Sequence, residues 1–203
     1  CTYPAPSYTG LSWEEVIDNA VPGMTTYRIY ANFTNPLDQL TALFGQDVTP
    51  LYINTSSTFY QDPAGGLTAN DVLPALYGAN PLLPYDSWIT IGAESFPNAI
   101  NLLNINGAPF EAGGNLTSND PIGGAWFVLP GSEPTAFPDG LGRVLVAQVT
   151  TDGFVDAKLN LQYKAQDGTS PQVICELLSF PPVVDGCTDS SACNYDDTAT
   201  IDA

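Results

Sequence analysis

Apolar and polar residues alternate with a period of two along most of the hydrophobic stretches of this chain. In residues 25–33, TTYRIYANF, the side chains of Tyr27, Ile29 and Ala31 fall on one side and those of Arg28, Tyr30 and Asn32 on the other, which is the pattern of a half-buried strand. QLTALFG (39–45), TPLYINTS (49–56), DSWITIG (86–92) and GAWFVLP (124–130) predict further strands. Turn-forming residues such as TNPLD (34–38) separate them. Residues 142–164, GRVLVAQVTTDGFVDAKLNLQYK, predict a hairpin turning at TTDG, with Ala157, Leu159, Leu161 and Tyr163 on one face of the return strand. SWEEVIDN (12–19) predicts a strand, because Trp13, Glu15 and Ile17 alternate. NDVLPALYG (70–78) has room for one helical turn before Pro74 limits it. The segments YQDPAGGLTAN (60–70) and FEAGGNLTSNDPIGG (110–124) predict long surface loops. Many short strands without strand-helix alternation predict an all-β fold, an antiparallel β-sandwich from about residue 8 to 180.

The pattern changes after residue 180. PPVVDG opens a stiff Pro-rich linker, 181–185, and residues 186–203, GCTDSSACNYDDTATIDA, have only Tyr195 and Ile201 as large apolar residues. Such a tail buries too little surface to fold alone. The expected organisation is a sandwich domain (1–180), the linker, and an irregular Cys/Asp-rich tail.

Charge narrows the function classes. Twenty-two acidic residues face four basic ones, for a net charge of −18. Four scattered cations cannot supply the clustered positive charge that phosphate backbones require, so nucleic acid is excluded as a partner class. No stretch approaches the apolar length of a helical membrane span. With no histidine at all, His-dependent nucleophilic triads and His-ligated metals are absent. The six glutamates (14, 15, 94, 111, 133 and 176) lie in no motif that singles out a glycosidase pair, and the expectation is that the chain is not an enzyme. Trp13, Trp88 and Trp126 fall within predicted strands, where core packing is the expected role. The runner-up function is a secreted carbohydrate-binding or adhesion module, a role β-sandwiches often take.

Four cysteines (Cys1, Cys175, Cys187, Cys193) in an acidic, Lys-poor chain indicate an oxidising, extracellular setting, whether secreted or on a cell-surface appendage. The chain opens at Cys1 without an initiator Met, as a mature or excised piece would, and a lipid-modified N-terminal cysteine is one alternative role for that residue. Three N-glycosylation sequons, at Asn32, Asn54 and Asn115, make covalent glycans candidates, with Asn32 placed on the solvent side of its strand. The tail carboxylates Asp189, Asp196, Asp197 and Asp202 form a candidate Ca²⁺ site, although their spacing is not that of an EF-hand loop.

The tail resembles a short Cys/Asp repeat of secreted proteins of aquatic bacteria and microalgae. That repeat runs Gly-Cys-Thr-Asp, a spacer, Ala-Cys-Asn-Tyr, an acidic spacer, Ala-Thr, then Asp-Gly-Ser-Cys. The match covers Gly186, Cys187, Thr188, Asp189, Ala192, Cys193, Asn194, Tyr195, Asp196, Ala199, Thr200 and Asp202, and stops before the last cysteine. The repeat commonly continues into Tyr-Pro, and this chain opens CTYP. The body resembles β-rich modules that accompany the repeat, in particular protomers of extracellular helical fibrils from fresh water; tubular flagellar hairs of microalgae are a related possibility. The resemblance implies a structural subunit whose tail is completed by the N-terminus of the next copy, covalently in tandem or head to tail between subunits. Tyr195 and Ile201 would dock against Tyr3 and Pro4, with TATID pairing along a neighbour's strand edge. Four cysteines allow three pairings within one chain. The junction reading joins Cys193 to Cys1 of the neighbouring copy and Cys175 to Cys187, whereas an ordinary terminus would hold a local Cys187–Cys193 bond.

Overall fold

The computed structural model describes residues 6–181, together with the backbone pairing of 185–186 and 201–202. In chain order the strands are β1 (Tyr8–Val21), β2 (Met24–Phe33), β3 (Gln39–Gly45), β4 (Leu51–Thr55), β5 (Trp88–Ile89), β6 (Asn101–Leu103), β7 (Leu116–Ser118), β8 (Gly124–Phe127), β9 (Arg143–Thr151), β10 (Val155–Lys164), β11 (Gln172–Phe180), β12 (Asp185–Gly186) and β13 (Ile201–Asp202). The α-helical content of the described residues is one turn, α1 (Ala108–Glu111). Two antiparallel sheets form the sandwich. The first has the order β1-β2-β9-β5, and the second β6-β8-β3-β10-β4-β7 with β11 also paired to β10. The antiparallel β-sandwich expected from the alternation is the observed architecture.

Between the sheets lies a core built from alternate residues of each strand. Tyr27, Ile29 and Ala31 of β2 meet Leu40 and Leu43 of β3, Leu159, Leu161 and Tyr163 of β10, and Trp126 of β8. Burying each large side chain of this kind contributes about 1.5–3 kcal/mol.

A second, smaller core sits on the outer face of the first sheet. There Tyr30 and Leu145 are covered by Ala69, Val72, Leu83 and Trp88. The covering residues come from the long connection between β4 and β5, which carries three 3-10 turns, Ala69–Asp71, Pro74–Leu76 and Leu83–Tyr85. Residues 60–70, expected as a surface loop, thus contain buried Asp62, Thr68 and Ala69. Gln148 Nε2 anchors the excursion by donating to the carbonyls of Pro84 (2.9 Å) and Asp86 (3.0 Å), and the Thr150 hydroxyl donates to the Tyr85 carbonyl at 2.6 Å. Within 70–78, where one helical turn limited by Pro74 is expected, the structure has the end of the Ala69–Asp71 turn and a further 3-10 turn that Pro74 opens instead of limiting.

The hairpin expected over 142–164 does not form. β9 pairs with β2 and β5 in the first sheet, while β10 pairs with β3, β4 and β11 in the second. The TTDG segment therefore crosses between sheets. β9 is buried on both faces, Val144 and Val149 toward the main core and Leu145 toward the small one, and a strand covered twice has to sit between two layers. The crossing passes tight against the end of β4: a Cβ on Gly153 would lie 2.7 Å from Ser57 N.

Around β10 the second sheet has a seam. Residues 161–164 pair with β3 and residues 155–158 with β4, leaving a gap where one neighbour hands over to the other. Asn160, fully buried, fills it. Its Nδ2 donates to the carbonyls of Phe44 (2.9 Å) and Thr49 (3.0 Å), and its Oδ1 accepts from Cys175 N at 2.8 Å. Cys175 lies in a bulge of β11 at φ +64°, an orientation that turns its N–H toward that amide.

Candidate functional site: two poles, one flank and an amide-lined groove

Strand direction sorts the connections into two poles. Tyr8 pairs with Phe33 at one end of the first sheet, and Val21 pairs with Met24 at the other. Ser7 lies at the first end, where its carbonyl accepts from Thr34 N at 2.8 Å. Phe180 pairs with Val155 at the opposite end, where Thr25 pairs with Thr151. The chain thus enters the sandwich at one pole and leaves it at the other, about 30 Å away at the strand rise over Met24–Phe33.

At the entry pole is an open groove of about 430 Å³, lined by Pro6, Ser7, Asn35, Tyr163 and Gln166 around the buried carboxylate of Asp38. Asp38 accepts from Asn35 Nδ2 (3.0 Å), Gln166 N (2.8 Å) and the Ser7 hydroxyl. A hollow of about 300 Å³ marks the exit pole, between Gly23, Thr25, Asp152, Phe154 and Pro181. The flank joining the poles consists of β1 and β11, one edge strand from each sheet. Trp13 stacks on Phe180 at 5.1 Å between ring centroids, Tyr27 meets Phe180 edge-on at 5.2 Å, and the Tyr8 hydroxyl donates to Glu176 at 3.2 Å. β1 departs from regular pairing three times, between Tyr8 and Gly10, Glu15 and Ile17, and Asp18 and Val21. These bulges and the exposed acidic residues among them blunt an otherwise long free edge.

Ionisable groups are held in local roles. Burial pushes the Asp86 carboxyl up to about 7, although the backbone N–H groups of Asp62 and Gly66 oppose the rise. Those donors, at 2.8 and 3.1 Å, fasten the excursion over the small core. Glu14 is partly buried, which disfavours its charge, but hydrogen bonds from Tyr30 and Arg143 outweigh that and hold its pKa below the usual range. Arg143 also lies 4.1 Å above the Tyr30 ring. Glu94 pairs with Arg28 at 2.8 Å, and Glu133 accepts from Ala99 N and the Thr135 hydroxyl.

Trp88 and Trp126 are fully buried and Trp13 packs in the flank, which is the core role the strands predicted. Asn32, expected on the solvent side of its strand, is half-buried and tied down: its Nδ2 donates to the Gly10 carbonyl at 2.9 Å and its Oδ1 accepts from the Ser12 hydroxyl at 3.0 Å. Asn54 is half-buried on β4, and Asn115 is exposed. Cys175 is half-buried and forms no disulfide among the described residues. Cys1, Tyr3, Pro4, Cys187, Asp189, Cys193, Tyr195, Asp196 and Asp197 lie outside the described residues. Ile201 and Asp202 pair in parallel with Asp185 and Gly186 of the same chain. Among the described residues, no cluster of three or more acidic or Cys side chains is arranged to hold a metal.

A groove of about 450 Å³, which sequence reasoning missed, runs beside Asn115 and is lined by Asn104, Asn106, Thr117 and Asn119 among others. Its residues all fall within 104–120, running from the end of β6 through α1 and β7 into the connection to β8, and their asparagines follow no spacing that signals a groove.

No protein-family model matches the chain, and no curated protein matches it either. Among solved structures the chain is similar to a cohesin module. That module belongs to a family 33 glycoside hydrolase of Clostridium perfringens, and the similarity has a TM-score of 0.38 at 10% sequence identity, covering 86% of this chain and 94% of the module. No residue is carried across from it.

Proposed function

We propose that the chain is a non-catalytic structural module of an extracellular filament, in which copies follow one another head to tail as separate subunits or as covalent repeats. The observation that carries this reading is the placement of Ser7 and Pro181 at opposite poles of the sandwich. A tail leaving the exit pole meets the entry pole of a copy stacked beyond it without doubling back along its own flank. Contacts of this heterologous kind propagate into open filaments when the rotation does not close. The Cys/Asp tail and the CTYP opening supply the complementary halves of the junction, with Cys193 bonding Cys1 of the next copy and Ca²⁺ bound by the tail carboxylates. A sugar-binding module is the weaker reading, because Trp88 and Trp126 are enclosed in the two cores.

The test compares the full chain with a version ending at Pro181, after the last sandwich strand, under oxidising conditions with negative-stain imaging. Filaments from the full chain and monomers from the shortened one are expected. Identical filaments from both would remove the tail from the mechanism.

A further inference from the structure

We propose that Asn115 carries an asparagine-linked glycan and that its first sugars lie in the amide-lined groove beside it. Three sequons occur in the chain, and the fold separates them. β7 points Leu116 into the core and turns Thr117 outward, next to exposed Asn115. The acceptor amide and the sequon hydroxyl thus border one groove. Asn115 Oδ1 accepts from Thr55 N at 3.0 Å. That bond fixes the amide plane, while Nδ2 makes no hydrogen bond to a described residue.

The other two sequons are less open. Asn32 is half-buried and holds both amide atoms against β1, its Nδ2 on the Gly10 carbonyl and its Oδ1 on the Ser12 hydroxyl, so a glycan there would crowd those contacts. Asn54 is half-buried opposite Asp156, and its sequon hydroxyl, Ser56, accepts from Phe154 N in the crossing between the sheets.

The groove suits a saccharide. Asn106 and Asn119 are exposed side-chain amides that both donate and accept, as sugar hydroxyls and N-acetyl groups require, and Pro109 adds a flat apolar surface. Attachment joins Asn115 Nδ2 to the anomeric carbon of a lipid-linked oligosaccharide. The new N–C bond forms as the C–O bond to the lipid pyrophosphate breaks; the amide gives up one proton, and the pyrophosphate leaves with the bonding electrons. Nothing in this assignment depends on head-to-tail assembly.

The experiment is secretion of the full chain from a glycosylating eukaryotic host, followed by glycopeptide mass spectrometry. Asn115 is expected to be occupied and Asn32 bare, with carbohydrate at Asn115 lost in both Asn115→Gln and Thr117→Ala; the second variant keeps the contact to Thr55. A folded, secreted chain bare at Asn115, or occupied at Asn32, overturns the assignment. Seating in the groove is read from the rate at which peptide N-glycosidase releases the glycan. Release from the native chain should be several-fold slower than from the denatured chain, and the double variant Asn106→Ala/Asn119→Ala should accelerate it without lowering Tm. Equal native and denatured rates would show that the glycan projects into solvent.

Discussion

Single residues carry a disproportionate share of the polar accounting in this fold. Asn160 serves three backbone groups at the point where β10 changes partners. Replacing it with Ala strands the Phe44 and Thr49 carbonyls and the Cys175 N–H in a buried seam, at roughly 1–3 kcal/mol for each group left without water. Asn160→Ala should lower unfolding free energy by about 3 kcal/mol, measured by urea denaturation, while Asn54→Ala on the neighbouring strand should change it little. Asp86 makes a second prediction, in pH. Its folded pKa, about 7, is raised above that of an unfolded carboxyl, near 3.9. The folded state therefore binds the proton more tightly, and stability falls as pH rises through the window from about 4 to 7. Repulsion within a chain of net charge −18 acts in the same direction. Tm should be higher at pH 5 than at pH 8, and Asp86 observed by carboxyl NMR should titrate near neutrality; a midpoint below 4 would refute this.

Whole elements show what sequence alone conveys. β2, β3, β4, β8 and β10 were legible because alternation marks a strand whichever sheet it joins. The assignment of β9 and β10 to different sheets was not, since a TTDG turn and two alternating strands look the same in a hairpin and in a crossing. Nor was the excursion between β4 and β5 legible. Ala69, Val72 and Leu83 follow no period and stand among Gly, Pro and Asp, so their burial depends on Tyr30 and Leu145 presenting a second apolar face. The sequons were visible as motifs, but how each amide is held depends on distant contacts, Asn32 with Gly10 and Asn115 with Thr55, 22 and 60 residues away. The excursion covers a small core of its own, so it should open as a separate layer, and Leu83→Ala should cost about 2–5 kcal/mol. Hydrogen exchange should rise first in residues 60–97, with β3 and β10 amides keeping their protection; a uniform loss across the sandwich would contradict a separate layer.

On the scale of the whole molecule, the net charge of −18 would oppose the head-to-tail stacking proposed above, and screening would relieve it. Exposed charges lose most of their mutual repulsion beyond roughly 10 Å at 0.1 M salt. Raising salt, or adding Ca²⁺, should increase the fraction of assembled chain seen by sedimentation. The opposite placement of Ser7 and Pro181 has a mechanical corollary. Tension applied to a chain of such copies enters at the start of β1 and leaves at the end of β11, along the strand axes. The β1–β2 and β10–β11 ladders then bear load in shear, many hydrogen bonds at once, instead of peeling open one after another. Single-molecule pulling through residues 6 and 181 should give higher rupture forces than pulling through Gly23 and Pro181, which sit together at the exit pole and would unzip the strands from their ends.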